Sequence, residues 1–386
     1  MKRILISVLL LTTVAKAETI PFIDNDWRKA RAEATSTGKY IFVDAYTDWC
    51  YWCKVMDKET FPDTQVVAFM NANFVPLKLE MEHNYGIRVA MKYHVSGFPS
   101  FLILTPDGKL VRKLTGYIEA KAFIEELKET IDTKQYPPLE GMSATIETEF
   151  PEFYKKSFTG YTDKRVSPEA TEVNEFITKQ KNLFSEINYG VIVRFAQLLN
   201  ETNRNFLLDN RIKFEALYGK SEIDNAIDDI TGKLLNTAVQ NKSETGLQAT
   251  ITFLEKYSPD TSGFSKVFYS LSYYKGIGDW KNMAKQVDSF IAIKGYEGSY
   301  INDWAWTVYE KCNDTAVVIK ALSWMQPVIQ KKQEFASLDT YAALLYKTGQ
   351  YALARTYALT AIDLGKAAGD KTEETEKLLK KIEAAK

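Results

Sequence analysis

Residues 41 to 54 are IFVDAYTDWCYWCK, an apolar run leading directly into a Cys-x-x-Cys pair. Tyr40 to Tyr46 are apolar except for Asp44, the pattern of a strand covered on both faces. Directly after it, Trp49-Cys50-Tyr51-Trp52-Cys53-Lys54 opens a helical stretch. Residues three apart in the first turn of a helix have Cβ atoms about 5–6 Å apart, so these two cysteines can close a disulfide with little backbone motion. The positive end of a helix dipole favours a thiolate at Cys50, whose pKa is expected below the free value of about 8.5. Cys53, one turn further in, is the expected resolving thiol. Asp48 opposes thiolate formation while Lys54 supports it, and the balance favours a reducing potential. Two other readings of the pair stay open at this point. Half a zinc site would need His83, His94 or Cys312, but the ten residues between the histidines do not match usual zinc spacing. A permanent structural staple would close so short a loop that it constrains the unfolded chain very little.

Working outward, Asn25 or Asp26 can cap a helix through Thr35 that stops at Gly38. Further strands read at Phe74 to Met81, Ser100 to Thr105 and Lys109 to Leu114, the last two joined by a turn at Pro106-Asp107-Gly108. Phe123, Leu127 and Ile131, spaced by four, share one face of a closing helix. A small α/β domain is thus expected over residues 18–135. The consecutive prolines of Tyr136-Pro137-Pro138-Leu139-Glu140-Gly141 predict a stiff linker over 136–141.

In three separated places the segment from Asp26 to Thr133 resembles the thioredoxin superfamily. IFVDAYTDWCYWCK resembles that family's strand and redox helix, including Trp49 before the first cysteine. VSGFPSFLIL resembles its cis-proline loop. CKVMDKETFPDTQVVAFMNANFVPLKLEME is similar to the subgroup containing the C-terminal domain of bacterial thiol:disulfide interchange proteins. The resemblance implies catalytic roles for Cys50 and Cys53, a buried proton-handling carboxylate at Asp44, a nearby lysine at Lys78, and a cis Pro99 beside the disulfide. By the same resemblance Gly97, Phe98 and Ser100 would present substrate-binding backbone groups. Tyr51-Trp52 stands where the family commonly has Gly-Pro, a dipeptide that influences redox potential.

The rest of the chain is sparse in chemistry. Of its 386 residues 49 are basic, 50 acidic, three cysteine and two histidine, which excludes a dedicated nucleic-acid binder and a disulfide framework. Lys2 and Arg3, the apolar run Ile4 to Val14, and Ala15-Lys16-Ala17 predict a signal peptide over 1–17, cleaved after Ala17. Losing Lys2, Arg3 and Lys16 takes the net charge from −1 to −4. The run Ile4 to Val14 is too short to span a membrane, and no other run approaches the roughly 20 residues a span needs. Residues 142–386 show helical spacing and no convincing strand. Tyr274, Tyr309 and Tyr346 each precede a turn, and their separations of 35 and 37 residues approach the roughly 34-residue period of tetratricopeptide helix pairs. The unit LDTYAALLYKTGQYALARTYALTAIDL resembles that family best, and the resemblance covers about residues 264–364. The charged tail from Asp370 is expected to be a solvent-facing helix. Gly219-Lys220-Ser221 lacks the earlier glycine of a phosphate loop, since residue 214 is Phe, and Cys312 reads as a buried helical cysteine.

The expected architecture is therefore an α/β thioredoxin fold, a central mixed sheet flanked by helices, followed by an all-α, repeat-like domain. The expected function is that of an exported, periplasmic thiol-disulfide oxidoreductase, a reductase of protein disulfides, with no metal or organic cofactor. Its electrons would come from a redox partner protein. The rival keeps the redox fold as a scaffold and makes the helical domain a partner-binding or chaperone-like module.

Overall fold

The computed structural model describes residues 19–132, 136–146, 149–158 and 165–385, so the leader expected over 1–17 lies outside the described residues. Five strands, β1 (Ile23–Asp24), β2 (Tyr40–Tyr46), β3 (Phe74–Glu80), β4 (Ser100–Leu104) and β5 (Leu110–Thr115), form one sheet in the order β1-β3-β2-β4-β5. The apolar run of β2 follows from its central place, parallel to β3 and antiparallel to β4, where Ile41 through Ala45 are all buried. Around the sheet lie α1 (Trp27–Thr37), α2 (Tyr51–Val55), α3 (Thr64–Asn73), α4 (Asn84–Tyr93) and α5 (Ala120–Thr130). Asp26 caps α1 by accepting from the Lys29 N–H at 2.9 Å, and Gly38, at φ 71°, closes it in the left-handed region where a side chain would strain. The Phe42 ring packs 5.5 Å from Phe101 and 5.8 Å from Phe123, so β2, β4 and α5 meet in one aromatic core. Between α2 and α3 runs a π-helical turn, Met56–Thr60, that the sequence pattern does not announce.

The diproline segment differs from the expected linker. The Leu139 N–H donates to the Leu110 carbonyl of β5 at 2.9 Å, and the Gly141 N–H donates to the Leu217 carbonyl at 2.8 Å, so both sides of the segment are tied down. The described residues between 142 and 226 then belong to the same compact unit as the sheet, and the chain divides at Ala226/Ile227 instead of at 136–141. Buried charge is the physical reason. Lys92 on α4 is fully buried and pairs with Glu186, with the Ser143 hydroxyl 3.0 Å from its Nζ. Lys113 of β5 lies 2.5 Å from Glu222, and the buried His94 lies 3.5 Å from the same carboxylate. Tyr154 donates its hydroxyl to the Met91 carbonyl at 2.7 Å. The sheet domain thus contains charges whose partners lie beyond residue 141, and stripping a partner from a buried charge costs roughly 3–5 kcal/mol.

Glu222 makes this testable. Burial works against its ionisation, but the nearby His94 and the charge of Lys113 outweigh it and hold the carboxyl at about 2, against an ordinary 4.5. A depressed folded-state pKa stabilises above the unfolded value and loses that contribution as pH falls through the folded one. Unfolding free energy should therefore drop by about 3 kcal/mol between pH 4.5 and 2 on this group's account. In urea titrations Glu222→Gln should remove that part of the pH dependence. Parallel curves for wild type and variant across this window would refute the assignment.

Beyond Thr115 the described residues contain helices and no strand. In the second unit, helices follow one another as Phe264–Ile277 and Trp280–Lys294, Gly298–Lys311 and Thr315–Lys331, and Phe335–Lys347 and Tyr351–Ala368. Trp304, Trp324 and Cys312 lie in its core, with Trp280 and Trp306 packed against it. The charged tail is not simply solvent-facing. Its helix Glu373–Ala384 buries Thr375, Leu378 and Ile382, whose three- and four-residue spacing puts them on one side.

Candidate redox site

Cys50 is the N-cap residue of α2, and its Sγ accepts a hydrogen bond from the Cys53 N–H at 3.0 Å. That donor is one of the N–H groups a helix start leaves without an intrahelical partner, so the helix end supplies a dipole and a direct bond to this one sulfur. The Cys50 N–H in turn donates to the Thr47 carbonyl at 3.1 Å, which fixes the turn out of β2. The two sulfurs are joined as a disulfide, with the Cα atoms 5.3 Å apart. Exposure does not separate the two, since Cys50 is 3% and Cys53 5% exposed. What distinguishes Cys50 is the hydrogen bond. Lys54 lies in the last turn of α2, at its negative end, where it complements the helix dipole away from Cys50.

Parallel pairing of β2 with β3 sets Asp44 opposite Lys78, and Lys78 Nζ lies 3.6 Å from Asp44 Oδ2. The same ammonium lies 2.5 Å from Asp57, delivered by the π turn after the redox helix. Asp44 is almost wholly buried and its Oδ1 has no hydrogen-bond partner. Burial pushes its carboxyl up from 3.8 to about 7; Lys78 pulls the other way, Asp57 adds to the rise, and burial dominates. Burial also works against the charge of Lys78, but the hydrogen bond to Asp57 and the charges of Asp44 and Asp57 outweigh it and raise its pKa. This arrangement holds a carboxyl able to gain or lose a proton near neutrality, with a lysine that stays charged.

The Phe98–Pro99 peptide bond is cis. The Phe98 ring meets Trp49 edge-on at 5.9 Å, which brings the proline loop against the residue preceding Cys50. Ser100 is not on the loop surface. It pairs with Ala45 on one side and Thr115 on the other, and its buried hydroxyl donates to the Gly97 carbonyl at 2.8 Å. The structure thus removes Ser100 from the expected substrate contacts, because both strand edges and the side chain are already engaged, and leaves Gly97 and Phe98. Tyr51 and Trp52 are exposed, and Trp52 packs 5.5 Å from Tyr117.

Two residues near the site escaped the sequence reading. Trp49 donates its indole Nε1–H to Glu82 Oε2 at 2.9 Å, and the other oxygen of this buried carboxylate lies 3.5 Å from the Arg165 guanidinium. Glu82 lies two residues past β3, where a charged residue reads as solvated surface. Nothing in the sequence links Arg165 to a cysteine 115 positions earlier.

A mixed sheet whose central strand runs into a Cys-x-x-Cys redox helix defines a thioredoxin-like domain, and residues 27–131 match the thioredoxin-like domain family. Among curated proteins the chain is similar to the thiol:disulfide interchange protein DsbD of Pseudoalteromonas atlantica, 36% identical over 108 residues, which cover 27% of this chain and 18% of that protein. The DsbD of Pseudomonas fluorescens is 32% identical over 104 residues, covering 26% and 18%. The solution structure of a thioredoxin from Thermus thermophilus matches at 24% identity and a TM-score of 0.28, covering 29% of this chain and 88% of that one. The chain therefore spans less than a fifth of the length of these curated relatives. Among the described residues no helix is long and apolar enough to cross a membrane.

Proposed function

We propose that the protein is an exported thiol-disulfide oxidoreductase that reduces disulfides in other proteins. The carrying observation is the helix-capping Cys50, whose sulfur accepts the Cys53 N–H while bonded to Cys53. In the reduced protein the Cys50 thiolate attacks a substrate disulfide, forming an S–S bond to one substrate sulfur and expelling the other as a thiolate. Cys53 then gives up its proton and attacks Cys50 Sγ, which closes the Cys50–Cys53 disulfide and releases the second substrate thiolate. Two electrons pass to the substrate, and a redox partner protein must return them; a membrane-embedded interchange protein suits an envelope location. Asp44 takes the Cys53 proton, with Lys78 and Asp57 setting its charge state, and Gly97, Phe98 and Pro99 line the substrate path. Export rests on the sequence of residues 1–17.

Reduction of insulin by dithiothreitol, followed as turbidity, tests the reading directly. Catalytic amounts of the full mature chain should shorten the lag before precipitation several-fold. A lag equal to that with dithiothreitol alone would reject the enzyme and leave the scaffold reading, in which the helical part binds partners.

A further inference from the structure

We propose that Glu82 and Arg165 are positioning residues for Cys50, so that the segment beyond the sheet domain sets the reactivity of the redox pair; this rests on the oxidoreductase reading above. The geometry is a continuous relay. Arg165 lies 3.5 Å from Glu82 Oε1, Glu82 Oε2 accepts the Trp49 indole N–H at 2.9 Å, and Trp49 is bonded through the backbone to Cys50. Its middle members, Glu82 and Trp49, are both held in place. Glu82 is fixed by its own N–H, which donates to Glu80 Oε2 at 2.9 Å, and the Trp49 ring is pinned against Phe98 of the proline loop. The Glu82 side chain is 5% exposed and that of Arg165 11%, so water screens the pair little. A buried carboxylate bonded to the residue preceding the nucleophile disfavours a thiolate there, and the guanidinium opposes that repulsion while leaving the indole anchor in place. Asp48 and Glu80 stay as an unaltered acidic background in every variant below.

The two residues therefore carry opposite electrostatic signs on one anchor, which a purely structural role would not produce. Arg165→Gln exposes Cys50 to the uncancelled Glu82 charge, and its alkylation at pH 7 in the reduced protein should slow by about threefold or more. Glu82→Gln keeps an amide oxygen for the indole but removes the charge, and alkylation should quicken by about the same factor. The double variant should return close to wild type. Cys50 labelling would be read site-specifically after reduction in the full mature chain, with Trp fluorescence and circular dichroism confirming an intact fold. Shifts of the same sign in both single variants, or none in either with the fold intact, would overturn the proposal. Failure of the parent reading looks different: wild-type Cys50 would then react no faster than a free cysteine, and insulin would not be reduced.

Discussion

Cys50→Ser should abolish catalysed disulfide reduction, a loss of at least about a thousandfold, because a serine hydroxyl is not ionised near neutrality and cannot form the mixed disulfide. Cys53→Ser should behave differently. It retains the capped nucleophile and loses the sulfur that releases the substrate, so covalent Cys50-linked partners should accumulate and appear as heavier species on non-reducing gels. The asymmetry follows from the structure: the helix-end N–H bonds the sulfur of Cys50, whereas exposure is nearly equal for the two. Expressed in its own compartment, Cys53→Ser would also report the physiological partners. Equal trapping by both single variants would show that either cysteine serves as nucleophile, and the assignment of roles would fall.

Asp44→Asn should slow turnover by on the order of a hundredfold with the fold intact, if the carboxylate accepts the Cys53 proton as the mixed disulfide resolves. Because burial brings Asp44 to about 7, the wild-type rate should rise through neutrality as the carboxyl ionises, and the asparagine variant should lose that inflection. Stability should move the other way. The folded state holds its proton up to about 7 while the unfolded chain releases it near 3.8, so the contribution is fully present below 3.8 and lost as pH rises to 7. At pH 8 the substitution should therefore stabilise the protein, by up to about 4 kcal/mol, while it slows the enzyme. Urea unfolding and single-turnover rates from pH 5 to 9 check both arms. A variant that is slower yet no more stable at pH 8 would mean that Asp44 is ionised at no such cost, and the proton-transfer role would lose its physical basis.

Much of the sheet domain was legible because its signals are local. The buried run Tyr40–Tyr46, the turn at Pro106-Asp107-Gly108 and the cap at Asp26 each depend on a few adjacent residues, and strand ends differ from expectation by one residue. The two-residue β1 and the π turn Met56–Thr60 were not legible, since two residues carry no periodicity and a π turn reads as ordinary helix. In the site, the cysteine pair was visible through its spacing, and Asp44, Lys78 and Pro99 through resemblance. Ser100 was read correctly as the start of a strand, but the substrate contact that the resemblance implied for it is taken up by pairing with Ala45 and Thr115.

By itself, the amino-acid sequence determined the redox pair, the strand that delivers it, and the change from mixed sheet to helices, because these follow from residue type and short-range periodicity. Only the tertiary structure decided where the first compact unit ends. Lys92, His94 and Lys113 look like surface residues in sequence, and their contacts with Glu186 and Glu222 tie the described residues between 142 and 226 to the sheet. It likewise decided that Glu82 and Arg165 stand behind Trp49, and that β3 brings Lys78 opposite Asp44. Partners of buried charge are chosen by three-dimensional proximity, across separations of about one hundred residues for Lys92–Glu186 and Lys113–Glu222, and no period or spacing in the chain encodes such a choice.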